Sequence, residues 1–200
     1  MENTDNKHFM DKVVDSLRNA AIEIEEFQVR AALGKAEAYD EYEEAKMRFK
    51  KFINDSKLKV QEGKEQVNEI NTQLDEIRLQ LALGKTESKE KFREQKKLLL
   101  RSLHELEFKI KSNPTINRMY AFMQIEIEKF KVKLDVLEEK FEEGKEGAKT
   151  AFEKRKTEFI EFINGVKAKY EKKEDTRWDH FQSEISEAFT HLKRAFEPSV

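Results

Sequence analysis

Four histidines, at positions 8, 104, 180 and 191, are the side chains best placed by type to hold a metal or move a proton near neutral pH. In helical proteins a carboxylate-bridged di-metal centre needs inward Glu residues and Glu-x-x-His pairs, because residues three apart share a helix face. The residues three before these histidines are Asp5, Arg101, Arg177 and Ala188, so none supplies the Glu. His180 and His191 fall on one face of a helix but about 16 Å apart, too far for a single ion. With no cysteine in the chain, thiolate ligands, disulfides and a thiol nucleophile are excluded. The "LGK" of "LALGKTE", residues 81–87, lacks the rest of a phosphate-binding loop. No serine, histidine and acid are arranged for nucleophilic catalysis. The expectation is a non-enzymatic protein with no catalytic residue, no metal and no cofactor.

The elements that would carry any site are helices. Charged residues make up 40% of the 200 positions, and there are only 6 Gly and 2 Pro, too little turn chemistry for a sheet protein. The 15 Phe and a sustained apolar period argue against disorder. The 39 Lys and Arg alternate locally with the 41 Asp and Glu, as on solvated helix faces. No basic stripe stands out, which argues against nucleic acid as a partner. The N-terminal "MENTDNKHFMDKVV" lacks the apolar core of a secretion signal, and no window of 18 apolar residues exists, so a soluble cytoplasmic protein is expected.

Apolar residues recur at steps of three and four in three related registers. One runs from Ala20 through Phe27 and Gly34 to Ile53. A second runs from Ile70 through Leu81 and Gly84 to Ile110, and a third from Phe130 through Phe141 and Gly144 to Val166. Residues Glu26, Ala32, Leu33, Gly34, Lys35, Glu37, Glu44 and Lys46 are identical to those fifty positions later, and Gly84, Lys85, Phe92 and Lys96 to those sixty positions after them. This is an internal repeat of a helical unit. The midpoint of Gly84 and Gly144 is Pro114, in "KSNPTI", and the midpoint of Gly34 and Gly84 falls in the polar "NDSKLKVQEGK". Turns there would bring the glycines level. The predicted fold is therefore all-α: an elongated, antiparallel up-down-up-down helical bundle or coiled coil of internally repeated long helices. It would form one unit over residues 1–200, with helices roughly at 5–53, 60–111, 115–163 and 168–196. The competing reading is one continuous helix over 8–111.

Each glycine inside a helix costs about 1 kcal/mol against alanine. A waist of small residues, Gly34, Gly84, Gly144 and Ala188, could offset that by close packing; a hollow waist holding an apolar ligand is the alternative. Trp178, Phe181, Ile185, Phe189, Leu192 and Phe196 form an aromatic stripe in the last predicted helix, suited to core packing and less so to a membrane surface. The apolar width of "LLLRSLHELEFKI" and "INRMYAFMQIEIEKF" exceeds one stripe. Leu98, Leu99, Leu100, Phe108, Met119, Tyr120, Phe122, Met123, Ile125 and Ile127 thus form the candidate interface, with a homodimer or another protein as partner. The function predicted is a self-associating structural or scaffold protein, the alternative a carrier of apolar ligands or a reversible lipid binder.

Overall fold

The computed structural model describes residues 2–31, 33–60, 65–84, 86, 88–111 and 117–142, with 154, 157–159, 161, 162 and 165 beyond them; side chains are described over most of 12–56, 68–110 and 121–142. Every regular element among the described residues is an α-helix. In chain order they are α1 (Glu2–Ala31), α2 (Lys35–Val60), α3 (Glu65–Leu81), α4 (Lys89–Lys111) and α5 (Asn117–Phe141). At 1.5 Å per residue the 30 residues of α1 span about 45 Å. None of these helices is long and apolar enough to cross a membrane.

Sequence chemistry sets the helix starts. Gly34 accepts the first bond of α2 through its carbonyl, from the Ala38 N–H at 3.0 Å, and the Glu37 carboxylate folds back against it. That places an acid in the first turn, where it opposes the helix dipole. α4 begins after Ser88, whose carbonyl accepts from the Phe92 N–H and whose Oγ accepts from the Lys91 N–H at 3.3 Å.

One buried cluster draws on all five helices and on Phe159. α5 lies against α1, α2 and α4. From Ala121 to Leu137 every one of its residues is buried except Phe122 and Glu126, which are partly so. Its seam with α2 is aromatic: Tyr39 stacks on Phe141 at 4.4 Å and Phe49 on Phe130 at 4.3 Å, so the two helices run antiparallel. α3 and α4 also run antiparallel, since Gln80 donates to Ser102 at 2.8 Å while Gln73 lies near Glu105 and accepts from Lys109.

Helix ends fall at the expected turns, α2 at Val60 and α4 at Lys111, and α4 and α5 run antiparallel, since Lys96 pairs with Asp135 and Glu138 while Glu107 pairs with Lys131. The expected long helices are interrupted. Helix 5–53 is divided at Gly34 and helix 60–111 at Gly84, and α5 stops at Phe141 rather than running on to 163 as one element. A single helix over 8–111 is excluded by the same breaks. The helix expected over 168–196 lies outside the described residues. The repeated unit is thus a helix, a glycine-bearing connection and a second helix that folds back.

This changes the meaning of the glycines. A Cβ built on Gly84 would meet nothing within 4 Å, and on Gly34 only the movable Glu37 carboxylate. Neither packs closely against a neighbouring backbone, so the two do not form a packing waist. Gly84→Ala is expected to raise stability by about 0.4–1 kcal/mol through the unfolded chain, read as a higher urea midpoint. A loss larger than about 1 kcal/mol would restore the packing account.

Candidate functional site

The structure divides the predicted interface. Leu99, Met123, Ile125 and Ile127 are buried, and Leu100 and Phe122 pack partly buried against the same core. Only Leu98 and Phe108 are exposed, Phe108 at 71%. Met119 and Tyr120 lie in the first turn of α5, with side chains outside the described residues. The extra apolar width of α5 packs against α1, α2 and α4 of its own chain. Of the small residues, Gly34 and Gly84 lie in connections, and Gly144 and Ala188 are outside the described residues. His104 is exposed on α4. No three His, Asp or Glu side chains gather as a metal-holding group among the described residues.

A different surface emerges at the glycine connections. On α1 the buried stripe is Val13, Leu17, Ala20, Ile24, Phe27 and Ala31. At 100° per residue, Ile22 and Val29 fall on the opposite side and are exposed, as is Leu33 in the turn that follows α1. On α3 the buried stripe is Ile70, Leu74, Ile77 and Leu81; Leu79 is exposed on the far side, and Leu83 is exposed just past the helix end. Val29 and Leu33 correspond in the repeat to Leu79 and Leu83, fifty residues later. Two copies of the unit therefore turn the same apolar pair to solvent just before the same glycine. The signal was in the sequence: Leu33 and Leu83 are identical, and both lie off the core stripe.

α2 holds these two ends on either flank. Arg30 Nε donates to Glu41 at 2.6 Å, and this bond, with the charge of Glu41, raises the guanidinium pKa against the lowering effect of burial. On the other flank Lys46 Nζ donates to the Leu83 carbonyl at 3.4 Å, and the Thr86 N–H donates to Glu43 at 3.1 Å. The hydroxyls of Tyr42 and Thr86 both donate to Gln95 Oε1, at 3.0 and 2.8 Å. Burial first, then the neighbouring Glu43, raises the Tyr42 pKa, so the phenol remains a donor. Tyr42 also meets Phe92, its counterpart in the next repeat, edge-on at 5.0 Å. Exposed apolar residues thus lie on α1 (Val29), α2 (Met47) and α3 (Leu79) and in the connections after α1 and α3 (Leu33 and Leu83).

The other distinctive group is ionic. Lys96 of α4 is 5% exposed and reaches Asp135 and Glu138 of α5, both at 2.5 Å. Lys131 of α5 reaches Glu107 of α4 at 2.6 Å and Glu128 at 3.1 Å, and Arg93 and Lys89 pair with Glu142. Toward α1, Glu23 binds Lys129 and Lys133 at 3.1 and 3.3 Å. Burial alone would raise the Glu23 pKa, but the two ammoniums outweigh it and hold it below the usual value; burial lowers that of Lys133. Each of these cationic groups meets at least one carboxylate. Two grooves adjoin them. One of about 390 Å³ is lined by Arg93, Lys96, Lys97, Asp135 and Glu138 among others, and one of about 320 Å³ by Lys12, Asp15, Glu23 and Lys129 among others.

Removing one buried partner leaves the rest unmatched. Lys96→Ala is expected to destabilise by about 3–5 kcal/mol, because Asp135 loses a charge partner inside the protein. Arg48→Ala, which breaks the exposed pair with Glu44, should change stability by less than about 1 kcal/mol. Urea unfolding of both variants measures the contrast, and equal costs would refute it.

No protein-family model, no curated protein and no solved structure matches this chain, so its function has to be read from these side chains and the surface they hold.

Proposed function

We propose that this is a non-enzymatic interaction protein, an elongated antiparallel helical bundle over residues 1–200 that self-associates in the cytoplasm and serves as a scaffold. One observation carries this reading. Two repeated units expose equivalent apolar pairs, Val29 with Leu33 and Leu79 with Leu83, with Met47 on the helix between them. Single exposed leucines are ordinary, but a repeated set on adjoining helices is the pattern of an association surface. The specific bonds from Arg30, Lys46 and Thr86 hold that surface in place, which lowers the ordering cost of binding. The charged lining of both grooves gives no support to an apolar-ligand carrier.

Size-exclusion chromatography with light scattering tests the proposal. The wild-type chain is expected to run as a dimer, and Leu33→Glu combined with Leu83→Glu as a folded monomer of unchanged helicity. A wild type that is monomeric at micromolar concentration, or a dimer untouched by the double substitution, refutes self-association through this face.

A further inference from the structure

The α4–α5 seam contains a group that ion pairing alone does not explain. Glu107, Glu128 and Lys131 form a cluster of two carboxylates and one ammonium, each side chain about nine-tenths buried. Lys131 Nζ donates to both acids, at 2.6 and 3.1 Å. The Lys131 bond goes to Glu128 Oε1, and Glu128 Oε2 is buried without a hydrogen-bond partner. With both acids ionised the cluster carries an uncompensated negative charge out of water, an expensive state. With one proton it is neutral, and the Glu128 O–H can donate to Glu107, which supplies the orphaned oxygen with a role.

We propose that Glu107, Glu128 and Lys131 form a proton-operated clasp that holds α4 on α5 in mildly acid solution and loosens it toward neutral pH. The geometry carries this, and the acidity agrees. Burial first, and then the bond and charge of Glu107, raise the Glu128 pKa to about 6 against the pull of Lys131. The folded state therefore binds this proton more tightly than the unfolded chain, whose value is 4.5. Between those values the native state holds more protons, so its stability falls as pH rises through the window. Above it the proton leaves to solvent and the two carboxylates share a single ammonium.

Among the described residues, other charges do not cancel the effect. α4 contributes Glu107 to the cluster and α5 itself Lys131. α1 turns Glu23, held by Lys129 and Lys133, toward α5, and Lys12 and Asp15 line the groove beside Glu126 and Lys129. α2 meets α5 through Tyr39 and Phe49, and the charge of Arg48 is felt at Lys133. Glu23, whose pKa is lowered, contributes stability that is lost only as pH falls below the carboxylate range, so its dependence has the opposite sign and a different window.

Hydrogen exchange of the full-length protein at about pH 5 and about pH 7.5, corrected for intrinsic exchange chemistry, tests the clasp. Protection of α4 amides is expected to fall roughly tenfold or more at the higher pH, and in Glu128→Gln to remain high at both. Equal wild-type protection at the two values, or a Glu128→Gln protein that keeps the fall, overturns the proposal. Carbon-13 titration of the Glu128 carboxyl in the wild-type chain reads the same group without substitution. A midpoint near 6 supports the clasp, and one below about 5 overturns it.

Discussion

A charged helix has been buried, and most of the arrangement follows from that. α5 carries Glu128, Lys129, Lys131, Lys133 and Asp135 within two turns, all buried. An unpaired ion costs several kcal/mol in such a place, so each neighbouring helix must bring the opposite charge or none. α1 brings Glu23 to the side of Lys129 and Lys133. α4 brings Lys96 to Asp135 and Glu138, and Glu107 to Lys131. α2 packs rings against α5, Tyr39 on Phe141 and Phe49 on Phe130. The faces of α5 are thus chemically different, and each neighbour fits one of them.

The glycine connections let short helices meet that requirement. A straight helix from 5 to 53 would carry the residues after Gly34 away from α5. Folding back brings Tyr39 and Phe49 onto it. The second unit does the same, and Phe92 lies against both Tyr42 and Phe141. The two connections differ in detail. Gly34 starts α2 directly, with Glu37 folded over it, whereas the chain after Gly84 runs on to Ser88 before α4 begins. That longer segment needs fixing, and Lys46, Glu43 and Gln95 provide it.

The helical class and the repeat were legible because the steps of three and four are long and consistent. Two of the reversals were legible from Pro114 and from the polar stretch after Ile53. The reversals at Gly34 and Gly84 were not. The stripe Phe27, Ala31, Gly34, Ala38, Tyr42 keeps helical spacing across the break, since both helices bury the same side of the sequence against one core. Periodicity reports which residues face inward and is silent on whether the axis turns between them. The interface misreading had a related cause. The width of apolar residues on α5 signals more than one neighbour, and three neighbours come from the chain itself. Leu33 and Leu83, off the stripe, were the better guide to an outer surface.

The ionic seam between α4 and α5 also has a geometric consequence that apolar packing would not supply. Leucine seams tolerate a slip of one helical turn, because another leucine arrives in each hole. Here the same slip meets a like charge in either direction. One turn before Asp135 on α5 is Lys131, and one turn after Lys131 is Asp135. Sliding α4 one way sets Lys96 against Lys131, and sliding it the other way sets Glu107 against Asp135. Like charges held close and away from water repel by several kcal/mol. Replacing such pairs with hydrophobic residues often raises stability, so what they can add beyond apolar packing is register. A fixed register for α4 fixes Gln95, and through it Thr86, Gly84 and the exposed Leu83, so the charged interior sets the position of the apolar surface outside.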